Sequence, residues 1–333
     1  MEKGRVCVTG AGGFLASWVV EVLLSQGYVV HGTARDPGDA KNAHLNKLAE
    51  ESGKLKIFKA DLLDYDSLRS AIDGCIGVLH VASPVPPTSV PNPELELLEP
   101  AVTGTLNVLK ASATSKVRRV VYVSSVASVM MNPNLPKDRA MDEACWSDKE
   151  YCRKTGISNC LSLLSLMASF QNWYCLSKTE AESQAFDYAK SNGLDLVSIC
   201  PSLILGPLLQ PTLNASSAVL VNLLKGMPDP APNRIRHIVD VRDVAAAVIL
   251  AYEKPEAEGR YICSSHTINT VNLVEKLRSL FPDYNYPKNF TVGEEWGYFS
   301  NERLKMLGWT CRPLEETLVD AIRNYQGARL LLG

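Results

Sequence analysis

The sequence predicts an α/β fold: a doubly wound parallel sheet with a smaller C-terminal lobe. Three observations carry that prediction. Short β-branched runs alternate with longer helical patterns through the first half of the 333 residues. A glycine-rich turn, GAGG at 10–13, follows the first run and opens a helix. After Pro201 the texture changes to a Gly, Pro and Leu-rich stretch and then to scattered shorter elements.

The elements are read in order. Arg5 to Thr9 reads as a strand and Leu15 to Gln26 as a helix. Further strands are expected at 28–34, 54–59, 77–82 and 117–124, with a helix over 94–113 between the last two. Strands separated by helices of this length pair in parallel through right-handed crossovers. A helix is expected to begin near Tyr174, followed by a strand at 195–199. Residues 226–233 (GMPDPAPN) read as irregular because of their prolines. Helices at 241–252, 272–281 and 314–326 and a strand at 260–263 complete the chain. The expected organisation is a dinucleotide-binding Rossmann-type domain over 1–202, its sheet completed by parts of 234–265. Residues 203–333 would then form mainly a substrate-binding lobe.

Bulk properties narrow the function classes. Net charge is −2 with acids and bases interspersed, which argues against nucleic acid or an anionic membrane as partner. The one basic cluster, Lys116, Arg118 and Arg119, reads as an exposed helix-to-strand turn. Nine cysteines show no C-x-x-C pair, and neither they nor the five histidines have metal-ligand spacing. Reduced thiols, no metal and a cytoplasmic location are therefore expected, since the N-terminus shows no signal-peptide pattern. Residues 155–177 carry no charge, but the apolar part, 161–170, is shorter than a bilayer requires.

The turn at VCVTGAGGFLAS (6–17) is read as a dinucleotide site. Thr9 ends the strand, Gly10 permits the tight turn, and Gly13 lets the backbone approach a pyrophosphate. Phe14, Leu15 and Ala16 open the helix, whose positive end receives phosphate oxygens. A NAD enzyme usually has an acid at the end of the second strand. Here stands Arg35, with Lys41 six residues on, and cationic partners suit the extra phosphate of NADP. Asp36 is adjacent and argues the other way unless it points elsewhere. Asp61 and Leu62 end the third strand near the expected adenine. Ala82 and Ser83 end the fourth, at the carboxyl edge where ligands of such sheets bind.

Tyr174 and Lys178 form a Y-x-x-x-K pair, and residues four apart on a helix share a face. A free phenol titrates near pH 10, and the lysine together with the positive nicotinamide is expected to lower that value. Ser125 at the end of the fifth strand supplies a third group. In this reading Ser125 polarises a carbonyl oxygen, Tyr174 protonates it, and Lys178 supports both the phenol and the cofactor ribose. Leaving Tyr174 as an ordinary core tyrosine is the plainer alternative.

These residues, together with VTGAGGFLASW (8–18), ADL (60–62), NWYCLSK (172–178), PSLILGP (201–207) and VDVRDVA (239–245), resemble a known family. It is the extended short-chain dehydrogenase/reductases, specifically the plant cinnamoyl-CoA reductase-like group related to dihydroflavonol reductase. The resemblance covers nearly the whole chain. It implies NADPH, reduction of a small aromatic, phenylpropanoid-type carbonyl, and a monomer or weak homodimer. It also implies that Pro201 to Leu203 close over the nicotinamide, and that Asn107 supports the lysine through a water.

Departures bear on the substrate. Cinnamoyl-CoA reductases usually read NWYCYGK, where this chain has Leu176 and Ser177. They carry a His and a Lys for the CoA moiety where this chain has Val219 and Asn222; only the arginine, Arg242, is retained. CoA thioesters are therefore expected to be poorer substrates than free aldehydes or ketones. An uncharged insertion of about fifteen residues, 157–171, precedes the tyrosine. It reads either as a loop or short helix near the substrate mouth, or as translated intron. Cys152 and Cys175 flank it, with free thiols as the default. Asp240 and Asp243 beside Arg242 resemble a structural polar cluster. Trp296, Tyr298 and Phe299 are candidates for an aromatic pocket or for the core. Two other functions stay open: an epimerase or dehydratase of the extended family, and a non-catalytic NADP-binding protein.

Overall fold

A computed structural model describes residues 3–83, 91–135, 139–156, 163–293 and 297–331, with side chains omitted over 163–170. The first half runs β1 (Arg5–Thr9), α1 (Phe14–Ser25), β2 (Val29–Ala34), α2 (Ala43–Ser52), β3 (Leu55–Lys59), α3 (Tyr65–Ile72) and β4 (Gly77–His80). Next come α4 (Glu99–Thr114), β5 (Arg119–Val123), α5 (Lys149–Gly156), α6 (Leu163–Asn192) and β6 (Asp195–Pro201). Then follow β7 (Leu203–Leu205), α7 (Ala215–Leu224), β8 (Ala231–Asn233), β9 (Ile235–Asp240), α8 (Val241–Glu253) and β10 (Gly259–Cys263). The chain ends through β11 (His266–Asn269), α9 (Thr270–Leu280), β12 (Phe290–Val292), α10 (Glu302–Met306) and α11 (Leu314–Gly327).

Seven parallel strands form the main sheet in the order β10-β6-β5-β4-β1-β2-β3. Strand order reverses between β1 and β4, which opens a crevice at their carboxyl ends. Helices cover both faces, so central strands are buried throughout and read as continuous apolar runs. On one face α1 and α8 join the C-terminal elements in a core running from Val6 through Leu220 and Leu273 to Tyr325. On the other face α3, α4 and α6 pack over Cys7, Val78 and Val120. Small residues set two close approaches. A Cβ on Gly77 would lie 2.2 Å from the Tyr252 ring, and one on Gly104 would lie 2.9 Å from Leu62 Cβ.

A three-stranded sheet, β11-β9-β7, and a two-stranded one, β12-β8, form the base of the lobe beside the crevice. Here the structure corrects one expectation: 231–233 of the proline-rich stretch is strand β8, paired in parallel with β12. In a two-stranded ribbon each strand is an edge, and an edge tolerates Pro232. A second correction concerns Arg119. It is buried, not exposed, because its Nε donates to Asp195 at 2.7 Å and its Nη1 to the Ala251 carbonyl at 3.0 Å. A third concerns the insertion. The helix bearing Tyr174 starts at Leu163, so 163–171 extends that helix, while 157–162 lies outside the described residues.

Candidate active site

The turn after β1 is built by glycine. Gly10 has φ +66°, and a Cβ there would stand 2.9 Å from Ala82 Cβ. Its N–H donates to Thr33 Oγ1 at 3.0 Å. Thr9 Oγ1 accepts from the Val81 and Ala82 amides at 3.1 and 3.0 Å, tying β1 to the end of β4. It also pairs with His80 Nδ1 at 2.9 Å, whose far nitrogen lies 3.3 Å from Thr105 Oγ1. Burial, aided by the Lys178 charge, pushes the His80 imidazole down to about 3, so it stays neutral. Gly13 is the N-cap of α1, and no side chain caps that helix. Phe14, Leu15 and Ala16 are buried at its start, and their turn presents amide dipoles to the crevice. Gly12 went unremarked in the sequence, yet a Cβ on it would meet Asn42 Oδ1 at 2.0 Å.

At the end of β2, Arg35 is exposed and forms no ion pair among the described residues. Asp36 turns onto its own loop and accepts from the Gly38 amide at 3.1 Å, so it does not compete for Arg35. Lys41 is exposed and pairs with Asp39 at 2.9 Å. Asp61 accepts from the Leu63 amide at 2.9 Å with one oxygen. Leu62 packs against Gly104, and its carbonyl accepts from Asn107 Nδ2 at 3.0 Å. Ala82 and Ser83 are half-buried beside Gly10.

Opposite lies the chemical group. Ser125 has extended backbone, and its Oγ accepts from the Ala127 amide at 3.1 Å. That leaves its hydroxyl proton to donate. The Ser125 hydroxyl is near enough to the Tyr174 phenol to pull its pKa down. One turn on, Lys178 Nζ lies 5.9 Å from the Tyr174 ring centroid. The lysine is 4% exposed, and burial lowers it to about 8, against the opposing pull of Glu182 and Cys200. Burial raises the Tyr174 phenol to about 12, only partly offset by the nearby Ser125 hydroxyl. The proton therefore stays on the phenol, the state a proton donor needs.

Pro201 ends β6 opposite Cys263, and Leu203 in β7 pairs with Ile238. Val219 and Asn222 lie three apart on α7, half-buried and exposed respectively. Arg242 is engaged elsewhere: Nε and Nη2 donate to Asp240 at 2.9 and 2.8 Å, and Nη1 donates to Asp320 at 2.7 Å. Those carboxylates satisfy the guanidinium and knit α8 to α11. Asn107 gives one amide N–H to the Leu62 carbonyl, which leaves its second N–H and its Oδ1 for other partners. Phe299 meets His237 edge to face at 4.6 Å and Tyr298 is exposed, while Trp296 lies outside the described residues. The described cysteines are free, including buried Cys152 and Cys175. Among the described residues no cluster of three His, Cys, Asp or Glu is fit to hold a metal, and no helix is long and apolar enough to cross a membrane.

An uncapped helix start, a glycine turn that admits no Cβ and an exposed arginine at the end of β2, unpaired among the described residues, together fit a dinucleotide. Facing them across the crevice stand Ser125, Tyr174 and Lys178. Fold and site thus define a Rossmann-type enzyme of the short-chain dehydrogenase/reductase class. The chain belongs to the NAD dependent epimerase/dehydratase family, whose pattern matches residues 6–153 and 147–264, and to its cinnamoyl-CoA reductase-like group. The two matched stretches meet just before the insertion. The chain is 45% identical over 325 residues to cinnamoyl-CoA reductase 1 of Petunia hybrida, covering 96% of this chain and 92% of that one. It resembles the structure of vestitone reductase from alfalfa (Medicago sativa), with a TM-score of 0.82, 31% identity and coverage of 98% and 99%. It also resembles yeast methylglyoxal/isovaleraldehyde reductase Gre2 complexed with NADPH, with a TM-score of 0.82, 27% identity and coverage of 98% and 100%.

Proposed function

We propose that this chain is an NADPH-dependent reductase of small aromatic, phenylpropanoid-type carbonyls, acting in the cytoplasm. The observation that carries the reading is Lys178 buried one turn from Tyr174, 5.9 Å from its ring centroid, with Ser125 at the end of β5 near the phenol. Relatives named cinnamoyl-CoA reductase supply the substrate class, and a structural relative holding NADPH supports the cofactor. Free thiols at the described cysteines accord with a reducing compartment.

The residues divide the work as follows. Gly10, Gly13 and the amides of Phe14 and Leu15 would cradle the pyrophosphate. Arg35, with Lys41 swung from Asp39, would hold the 2′-phosphate. Asp61, Leu62, Ala82 and Ser83 would line the adenine side, and Pro201 to Leu203 the nicotinamide side. Bound there, the reduced cofactor supplies a hydride to the carbonyl carbon. Ser125 donates a hydrogen bond to the carbonyl oxygen, with its own oxygen oriented by the Ala127 amide. Tyr174 gives that oxygen its proton as charge develops. The Lys178 ammonium lowers the cost of the phenolate left behind.

Free aldehydes or ketones are the better substrates in this reading. Val219 and Asn222 offer a CoA phosphate no charge, and Arg242 is held by Asp240 and Asp320. The test is NADPH oxidation with hydroxycinnamoyl-CoA esters, cinnamaldehydes, dihydroflavonols and tetraketide pyrones. Turnover with an aldehyde or ketone above that with every thioester is expected. Preference for a thioester overturns the substrate assignment, and inactivity on the whole panel overturns the reductase itself.

A further inference from the structure

We propose that Glu182 is a positioning residue for this site: its buried carboxylate fastens the tyrosine helix to the Ser125 turn and places a negative charge one helical turn from the Lys178 ammonium. The proposal rests on the reductase reading above for its catalytic consequence, but its structural half can be measured without turnover.

Tyr174, Lys178 and Glu182 recur every four residues and so share a face of α6. Glu182 is 0% exposed, an unusual place for a carboxylate unless it is fully partnered. Its partners come from three other elements. Ser124 and Ser128 Oγ donate to Oε2 at 2.8 and 2.5 Å. Ser198 Oγ on β6 donates to Oε1 at 2.6 Å. Arg260 on β10 donates through Nε at 3.0 Å and Nη2 at 3.2 Å. Arg260 is itself fixed, stacked 3.6 Å over the Trp146 ring and donating to the Glu143 and Cys145 carbonyls at 2.9 and 2.8 Å. Burial pushes the Glu182 carboxyl up, but Arg260 and the serine hydroxyls more than offset it, so the anion persists.

Two consequences follow from that arrangement. Ser124 and Ser128 bracket Ser125, so the carboxylate sets how far the Ser125 hydroxyl stands from the helix that carries the phenol. The carboxylate also dominates the charge around Lys178. The ammonium is faced by Tyr174 and Glu182 on its own helix, His80 on β4 and Cys200 on β6. Tyr122 on β5 and Arg260 on β10 face the carboxylate in turn. His80 is neutral, and burial keeps Tyr122 and Cys200 protonated. Glu182 is therefore the anion of the group. Removing its charge, with Arg260 left behind, lets Lys178 lose its proton at lower pH.

The experiment compares wild type, Glu182→Asp, Glu182→Gln and the double variant Glu182→Gln with Arg260→Met, which removes the buried guanidinium together with its carboxylate. Rates are read as NADPH oxidation against pH. Lys178 titration is read separately, as the pH dependence of its labelling by an amine-acylating reagent, followed by peptide mass spectrometry. Glu182→Gln is expected to lower kcat at pH 7 at least tenfold with KM within threefold. It should also move both the alkaline limb of kcat/KM and the labelling midpoint about one pH unit lower. Glu182→Asp, which keeps the charge but withdraws from the serines, should lose rate while holding limb and midpoint near wild type. If Glu182→Gln does not fold, the double variant is expected to show the rate loss, because the serine anchors are gone. Wild-type rate, limb and midpoint in a folded variant lacking the carboxylate overturn the proposal. A shifted midpoint in a chain that reduces no carbonyl at all would instead count against the reductase reading and leave Glu182 as an anchor of Lys178.

Discussion

Arg35→Ala gives the sharpest test of cofactor choice. The guanidinium sits exposed at the end of β2 with no ion pair among the described residues, so none of those has to release it to a phosphate. A charge-assisted hydrogen bond contributes about 1.5–3 kcal/mol, and a fork makes two of them. Solvent screening at an open rim discounts that, leaving about 2–4 kcal/mol. Converted at about 1.4 kcal/mol per decade, NADPH affinity should fall about 30- to 700-fold. NADH, lacking the 2′-phosphate, should change less than threefold. Lys41 can add to the grip cheaply, since its pair with Asp39 is half-exposed and such pairs contribute about 0–1 kcal/mol. The assay is a fluorescence titration of both dinucleotides at fixed ionic strength, in wild type, Arg35→Ala and Lys41→Ala. Equal losses for NADPH and NADH in Arg35→Ala would refute the reasoning, because Arg35 would then be supporting the fold and not reading the phosphate.

Other outcomes follow from the same structure. Tyr174→Phe keeps the ring but deletes the proton donor, so kcat should drop about 10²- to 10⁴-fold with NADPH affinity nearly unchanged; steady-state rates and the same titration check this. Lys178 is held at about 8, so a rate that needs its ammonium should fall on the alkaline side, about tenfold per pH unit above that value; the kcat/KM profile of the free enzyme reads it, and Lys178→Met should abolish the limb. Arg242→Met should act on stability and not on substrate: Asp240, 1% exposed, would lose its counter-ion at about 3–5 kcal/mol, seen as a lower denaturant midpoint with KM for a CoA ester within threefold. Gly10→Ala meets both a left-handed φ of +66° and Ala82 Cβ at 2.9 Å, and should weaken NADPH binding at least tenfold by forcing the turn apart, measured by titration of folded protein.

What the sequence determined by itself was everything written in short-range spacing. The alternation of apolar runs and helical stretches dictated a parallel sheet, because each crossover needs a helix between strands. The glycine turn, Arg35 and the four-residue step from Tyr174 to Lys178 were legible for the same reason: each depends on neighbours within one turn. Glu182 continues that step, and its spacing was a signal available to a closer reading. Tertiary structure decided the rest, where partners lie far along the chain. Asn107 and Arg242 find partners in Leu62 and Asp320, 45 and 78 residues away, which no local spacing announces. Arg119 looked like a surface charge until it met Asp195 and the end of α8. Burial pushes the Tyr174 phenol up to about 12, a property of the packed interior that no local pattern encodes. Hydrogen bonding and desolvation act through space, and only the fold brings those groups together.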